Sequence, residues 1–348
     1  MTTQRIEGIV FCVGSLVACW APNAISQEPD KGTSQNRIKV EKDQIEFLAG
    51  NNLITRYYKG PTAAKPYFWP VYGPNQTALT RAWPMVKGMP GESTDHVHQK
   101  SVWFCHGDVI PEGLPLTAKI KGVEGVDFWS EAKGHGRIVC TSLGEPVINN
   151  NACRIATKNL WQTADGITIL KESRIISLYE FGATRLFVID IDLHASDMAI
   201  TFGDTKEGSF GVRVNDVIRE SIGNGRMENA DGAVGEKACW GQKSRWCDYC
   251  GAIDGKVVGI AILDDPSNPY PACWHSRGYG LMAANPFGRA KSGFPAMKGN
   301  TELVKLAKGE HLKFRYGLLL HPGDASAGKV ADYYQKFVQL REKAVDKK

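Results

Sequence analysis

Three stretches of the chain bring together residue types that could move protons or grip a polar ligand. The densest is DHVHQKSVWFCHGD, residues 95–108, which holds three of the eight histidines within eleven positions. His96 and His98 sit two apart. On a strand they would face the same way, roughly 7 Å apart, with Lys100 on that face too. Imidazole titrates near neutral pH, so the pair could do acid/base work, bind hydroxyls, or chelate a divalent metal with a third ligand from elsewhere. No cofactor is otherwise expected. His106 and Asp108 follow as further binding candidates. The second stretch, GDTKEGSFGVRV (203–214), sets Lys206 and Glu207 before a turn glycine and Arg213 on the strand after it. A loop Glu beside a Lys is well placed to be a general base. The third, CWHSRGYGLMAANPFGRA (273–290), offers His275, Arg277, Tyr279 and Asn285 around glycines, as suits a ligand cleft.

Aromatic residues crowd the first third: Tyr67, Phe68, Trp69, Trp83, Trp103, Phe128 and Trp129. Most belong to a core. One or two, with Trp103 and Trp129 as candidates, could stack on the apolar face of a sugar ring. The expected chemistry is therefore carbohydrate-directed, with Glu207 as base and His98 or His275 as acid. His96, Lys100 and Arg213 would orient hydroxyls or a carboxylate. Epimerisation, elimination and glycosidic cleavage all fit, although ordinary hydrolysis wants two carboxylates flanking the bond and only Glu207 and Asp108 are available. A non-catalytic sugar-binding module and a His-x-His metal enzyme are the alternatives.

The elements that must carry these groups read as strands. In RLFVIDIDLHAS, Phe187, Ile189, Ile191 and Leu193 point one way and Asp190, Asp192 and His194 the other. The polar set reads as a solvent-facing stripe. RIKV, GRIVCTSL, RIATKNLWQT, GITILKESRIISLY, GKVVGIAIL and HLKFRYGLLLHP are further strands. Asp165-Gly166 reads as the hairpin turn between two of them. One helix is expected over 325–343, with Val330, Tyr333, Tyr334, Phe337, Val338 and Leu340 near helical spacing and Asp324 or Ser326 as cap. The expected fold is all-β: a large antiparallel sandwich over 37–324, with this helix and a tail (325–348) packed on its side.

The chain has 348 residues, is 43% hydrophobic and 23% charged, and carries a formal charge of +5. That describes a folded protein with a substantial core, and the mild excess of positive charge gives no nucleic-acid footprint. No apolar run reaches the ~20 residues of a membrane helix, so no integral span is expected. Arg5 followed by IVFCVGSLVACWA reads as a secretory signal over 1–26, cleaved after Ala24-Ile25-Ser26, with 27–36 as linker. Lipidation at Cys19 is the competing reading. Either one places the protein outside the cytoplasm, where disulfides are permitted. Seven cysteines remain beyond the signal, an odd number that leaves at least one thiol free. Cys247 and Cys250 have CxxC spacing but no second pair, so they read as a disulfide or packed thiols rather than a zinc site.

The motifs DHVHQKSVWFCHGDV, GVDFW (125–129), DTKEGSFGVRV, RWCDYCG and WHSRGYGLMAANPFG resemble a bacterial family of unknown function often labelled "methane oxygenase PmoA", over most of the chain after the signal. In that family the first motif runs acidic-His-Pro-His-His-Arg. Here Val97, Gln99 and Lys100 replace the Pro, the third His and the Arg, and Cys250 stands where a small hydroxyl residue is usual. The label implies a multi-helix membrane enzyme, which this sequence is not. The resemblance implies instead a β-sandwich akin to that of the sugar mutarotases.

Overall fold

The computed structural model describes residues 1–2, 36–149 and 152–340. The signal, the two cysteines within it, all but the last residue of the linker and the tail after Leu340 lie outside the described residues.

Two large antiparallel sheets face each other. The first has eight strands in the order Asn36–Val40, Gln44–Ala49, Asn52–Tyr58, Tyr67–Val71, Val102–His106, Gly208–Arg213, Leu281–Asn285, Cys273–Arg277. The second runs Arg226–Asn229, Trp246–Ile253, Lys256–Asp264, His311–Pro322, Thr184–His194, Thr168–Phe181, Ala152–Gln162, Arg137–Leu143, with Val147–Asn149 also paired to Ala152–Gln162. A three-stranded sheet joins Val304–Leu306, Ile200–Phe202 and Val109–Pro111. The fold is thus the all-β sandwich expected, with more strands than the sequence pattern revealed.

The core forms where the inner faces meet. Phe47 packs edge-on against Phe187 at 5.5 Å, Phe104 against Trp161 at 6.0 Å, and Phe210 stacks on Tyr316 at 5.3 Å. Alternation holds as read in Thr184–His194. Phe187, Ile189, Ile191 and Leu193 are buried in this core, while Asp190, Asp192 and His194 face outward. The outward groups find partners one strand away: Asp190 pairs with Arg315 (2.7 Å), Asp192 with His311 (2.7 Å), and His194 stacks on His311 (4.1 Å). The 165–166 turn also stands, with Gly166 at φ +86° and the Thr163 hydroxyl donating to Asp165 at 2.5 Å.

The terminal helix is shorter than expected. It spans Val330–Gln339 and buries Val330, Tyr334 and Phe337 against Leu186, Val188 and Leu319 on the outer face of the second sheet. Residues 324–329 form turns instead. Asp324 caps those turns, accepting from the Ala327 amide at 2.8 Å, and does not cap the helix. A four-residue helix, Glu236–Cys239, was not expected. The cysteines from Cys105 to Cys273 are all thiols here, six of them buried, so Cys247 and Cys250 are packed thiols rather than a disulfide. Among the described residues no helix is long and apolar enough to cross a membrane.

Candidate functional site

The site lies on the outer face of the first sheet. Register places Tyr67, Trp103, Gly211, Ala283 and His275 in one row across five neighbouring strands. Directly paired residues share a face, so these five point together, away from the core. Two residues along, Arg213, Leu281 and Arg277 form a parallel row on that face. The small residues are functional to the packing. A Cβ on Gly211 would come within 2.7 Å of the Trp103 indole, so only glycine lets that ring lie flat across the row. Trp129 then packs edge-on against Trp103 at 5.1 Å.

Over this floor an unbroken run of rings assembles from segments far apart in sequence. Tyr279 stacks on His96 (5.0 Å between centroids), His96 meets His98 at right angles (5.6 Å), and His98 abuts Trp129 (6.3 Å). Trp129 stacks on His275 (6.1 Å), His275 meets Trp240 (5.2 Å), and the Arg277 guanidinium lies 3.6 Å from the centre of Trp240. Glu207 stands immediately before the strand Gly208–Arg213, its carbonyl accepting from the Gly107 amide at 2.7 Å. Of the residues expected to act together, the ring contacts bring His96, His98, His275, Arg277 and Tyr279 into one run, and Glu207 lies on the loop that leads into one of the strands beneath it.

How they are held differs from the sequence reading. Residues 95–100 are not a strand; they form a loop in which His96 adopts a left-handed φ of +42°. Two fully buried arginines enforce that conformation. Arg81 donates to the Asp95 carboxylate (2.5 Å) and to the carbonyls of Asp95 (3.0 Å) and His96 (2.8 Å). Arg213 donates to the same carboxylate (2.9 Å) and to the Gln99 side chain (2.7 Å), with its guanidinium over the Tyr279 ring. Burial alone would raise the Asp95 carboxyl, but Arg213 and Arg81 outweigh it and hold it near 2. Arg213 thus positions the loop rather than greeting a ligand. Lys100 bonds Glu131 at 2.6 Å, which also takes the buried Lys65 at 2.9 Å. Lys65 in turn donates to the Trp129 carbonyl at 3.0 Å, fixing the indole. Asn285 is 1% exposed and acts as a bracket: its amide nitrogen donates to the carbonyls of Thr205 and Lys206, and its oxygen accepts from the amides of Phe287 and Gly288. It shapes the loop carrying Glu207 and is not a ligand contact.

Three other expectations are corrected by burial. Trp103 has no exposed surface and supports Trp129 instead of a sugar. His106 is likewise sealed, bonded to the Gly203 carbonyl (2.9 Å) and wedged against Phe202 and Phe287. Asp108 accepts from the Gly125 amide at 2.7 Å and borders a different hollow, beside Asp204 and Lys291.

The protonation states follow from burial. His98 and His275 are both driven down to about 3, by desolvation first and then by nearby cations, Lys65 for His98 and Arg277 for His275. Both are therefore neutral imidazoles near pH 7. Glu207 is pushed above the usual carboxyl range by burial, which Lys206 only partly offsets. Burial thus moves these groups toward one another: the carboxyl holds its proton more tightly than a free carboxyl does, and the imidazoles hold theirs less tightly than free imidazole. Among the described residues, His275 Nδ1 and Trp129 Nε1 are buried polar atoms with no hydrogen-bond partner. Among the described residues no group of three or more His, Cys, Asp or Glu side chains is placed to hold a metal ion.

Trp240, Arg81, Glu131 and Lys65 were not found from the sequence. Each is a single residue with no local pattern. Asp95, inside the motif, was the one accessible signal.

Comparison with known proteins places the chain. It belongs to the family of unknown function DUF6807, whose model matches residues 44–335. This corrects the resemblance to the PmoA-labelled family, which nothing supports. No curated protein matches the chain. Among solved structures it is similar to the galactosidase domain of an α-galactosidase–sucrose kinase, at 9% identity and a TM-score of 0.43, covering 82% of this chain and 42% of that one. It is also similar to an α-galactosidase from Lactobacillus brevis (10%, TM-score 0.39, 86% and 42%) and to galactose 1-epimerase from Lactobacillus acidophilus (8%, TM-score 0.34, 83% and 98%). The chain spans 42% of the length of the two galactosidases. At these scores the likenesses transfer neither ligand nor reaction.

Proposed function

We propose that this DUF6807 chain is an exported carbohydrate-active protein that transfers protons on a sugar or oligosaccharide. The observation that carries the reading is the run of rings from Tyr279 through His96, His98, Trp129 and His275 to Trp240, with Arg277 against Trp240 and the partly accessible rings of Tyr279 and Trp240 at its ends. Aromatic faces suit the apolar face of a sugar ring, and Arg277, Lys206 and His96 supply donors for its hydroxyls. Glu207, whose carboxyl burial holds above the usual range, and His98, the more accessible imidazole, are the groups that exchange protons with the sugar, which suits epimerisation or elimination. Hydrolysis by a carboxylate pair is disfavoured, because Glu131 is held by two lysines and Asp108 lies elsewhere. Export is proposed on the composition of residues 1–26 alone.

The test is turnover of a panel of reducing sugars, uronates and oligosaccharides by the wild type, Glu207→Gln and His98→Gln. Both variants should lose at least ~100-fold in kcat while keeping ligand affinity. Equal rates would remove these groups from the chemistry. The rival, a binding module without catalysis, is favoured by the 2% exposure of His275, which leaves it little reach. It predicts glycan affinity, no turnover, and indifference to Glu207→Gln.

A further inference from the structure

Five arginines of the described chain are buried, and four have a carboxylate close by. Arg174 pairs with Glu172 (2.7 Å), Arg81 and Arg213 with Asp95 (2.5 and 2.9 Å), and Arg219 with Asp216 (3.4 Å). Arg289, only 5% exposed, is the exception: among the described residues no carboxylate lies within 4 Å of it. Its Nε donates to the Glu302 carbonyl (2.9 Å) and its Nη1 to the carbonyls of Pro286 and Gly288 (2.9 Å each). Carbonyls solvate a guanidinium but do not neutralise it, and a buried charge without a counter-charge is costly. Among the described residues no group accepts from Nη2. Asp204, whose charge acts on Arg289, spends its oxygens on the amides of Arg289, Lys291 and Ser292 instead.

Arg289 borders a cavity of about 240 Å³, together with Lys243, Tyr270, Met297, Asn300 and Glu302. Lys243 faces Cys273 across an isolated β-bridge, and both Lys243 and Arg289 act on that buried thiol. The Tyr270 ring lies 5.8 Å from the guanidinium. Glu302 gives Arg289 its carbonyl and not its carboxylate. From this we infer that the cavity is a second binding site, separate from the ring-lined cluster, for the oxyanion group of a small molecule: a phosphate, sulfate or carboxylate. The free Nη2 edge supplies a directed donor to such a group, and Lys243 supplies a second positive charge at the rim.

The test is isothermal titration of the full chain with inorganic phosphate, with sulfate, and with acetate, at constant ionic strength balanced by chloride. Glucose 6-phosphate and glucuronate then distinguish a phosphate-bearing from a carboxylate-bearing source. One saturable site for at least one of these anions is expected, weakened ~10-fold or more by Lys243→Glu and lost in Arg289→Gln. Lys243 is exposed, so its variant keeps the test decisive should Arg289→Gln fail to fold. No saturable binding of any of the anions up to ~10 mM overturns the inference. So does equal affinity in wild type and Lys243→Glu, and so does a sulfate-induced rise in Tm shared by both proteins with no titratable site, which is the general exclusion effect of that salt.

Discussion

The outer faces of the two sheets are made from similar ingredients and arranged in opposite ways. On the second sheet, Asp190, Asp192, His194, His311, Lys313 and Arg315 stand beside one another across two strands, most of them in contact with solvent and pairing locally. On the first, Arg213, His275 and Arg277 lie beneath loops that reach over from residues 81–101, 125–135 and 236–240. The difference is cover. Charges on an open face are screened and worth little individually. The same types under a cover lose their water, so they must either pair, as Arg213 does with Asp95, or change protonation, as His275 does. Both routes move titration points, but pairing locks Asp95 and Arg213 in their charged forms, whereas the second route brings a group's two protonation states into play.

The largest effect should come from breaking the pairing under the cover. Arg213→Ala removes a buried donor from Asp95 and Gln99, and because Asp95 is 38% exposed and keeps Arg81 it should cost about 1.5–3 kcal/mol of unfolding free energy, read by urea denaturation. The loop bearing His96 should loosen with it, visible as lost amide protection at residues 95–99. A cost below ~1 kcal/mol would mean that the pair is solvated like those on the open face.

Acid should separate the faces next. His275 and His106 are held near 3 and 4 in the folded chain, chiefly by desolvation, whereas an unfolded imidazole titrates near 6.5. As pH falls below ~6.5 the unfolded chain takes up protons that the folded chain refuses. Their stability contribution is thus fully present above that point and declines below it, by about 1.4 kcal/mol per pH unit for each histidine. Denaturation midpoints at pH 7, 6 and 5 should show this slope, and His275→Asn should reduce it by one histidine's share. An unchanged slope would place His275 in contact with water.

This comparison also explains what the sequence revealed. The second sheet was legible because its long strands are dry on one side and wet on the other: Thr184–His194 alternates, and Asp190, Asp192 and His194 read as a solvent-facing stripe. The central strands of the first sheet, Val102–His106, Gly208–Arg213 and Leu281–Asn285, are buried at every position, so periodicity carries no signal there. The density of histidines still marked the site. Their roles were harder to read, since desolvation depends on residues such as Trp240 and Lys65 that arrive from elsewhere in the chain. The same holds for Asn285, whose four hydrogen bonds to backbone groups look, in sequence, like any polar residue beside a turn.

Glu207 offers a smaller and more pointed test. Its folded carboxyl titrates above the usual range because of burial, so ionising it penalises the fold above the unfolded value of ~4.3. Glu207→Gln keeps the shape and removes that penalty. At pH 7 the variant should be more stable than the wild type, and the gain should vanish as pH approaches 4. A loss of stability would instead mean that Glu207 is an ionised partner of Lys206 and Arg277 rather than a carboxyl penalised by burial.

The smallest effect belongs to the open face, and it matters because it is the control for all the others. Asp192 pairs with His311 at 2.7 Å and with Lys313 at 3.9 Å, but all three side chains are about a third exposed or more. Water competes for each of them, and ordering two long side chains offsets what Coulomb attraction remains. Asp192→Ala should therefore shift stability by no more than ~0.5 kcal/mol, and salt should shrink even that. A cost of ~2 kcal/mol or more, insensitive to salt, would show that this stripe is a constructed site too, and that cover is not what separates the two sheets.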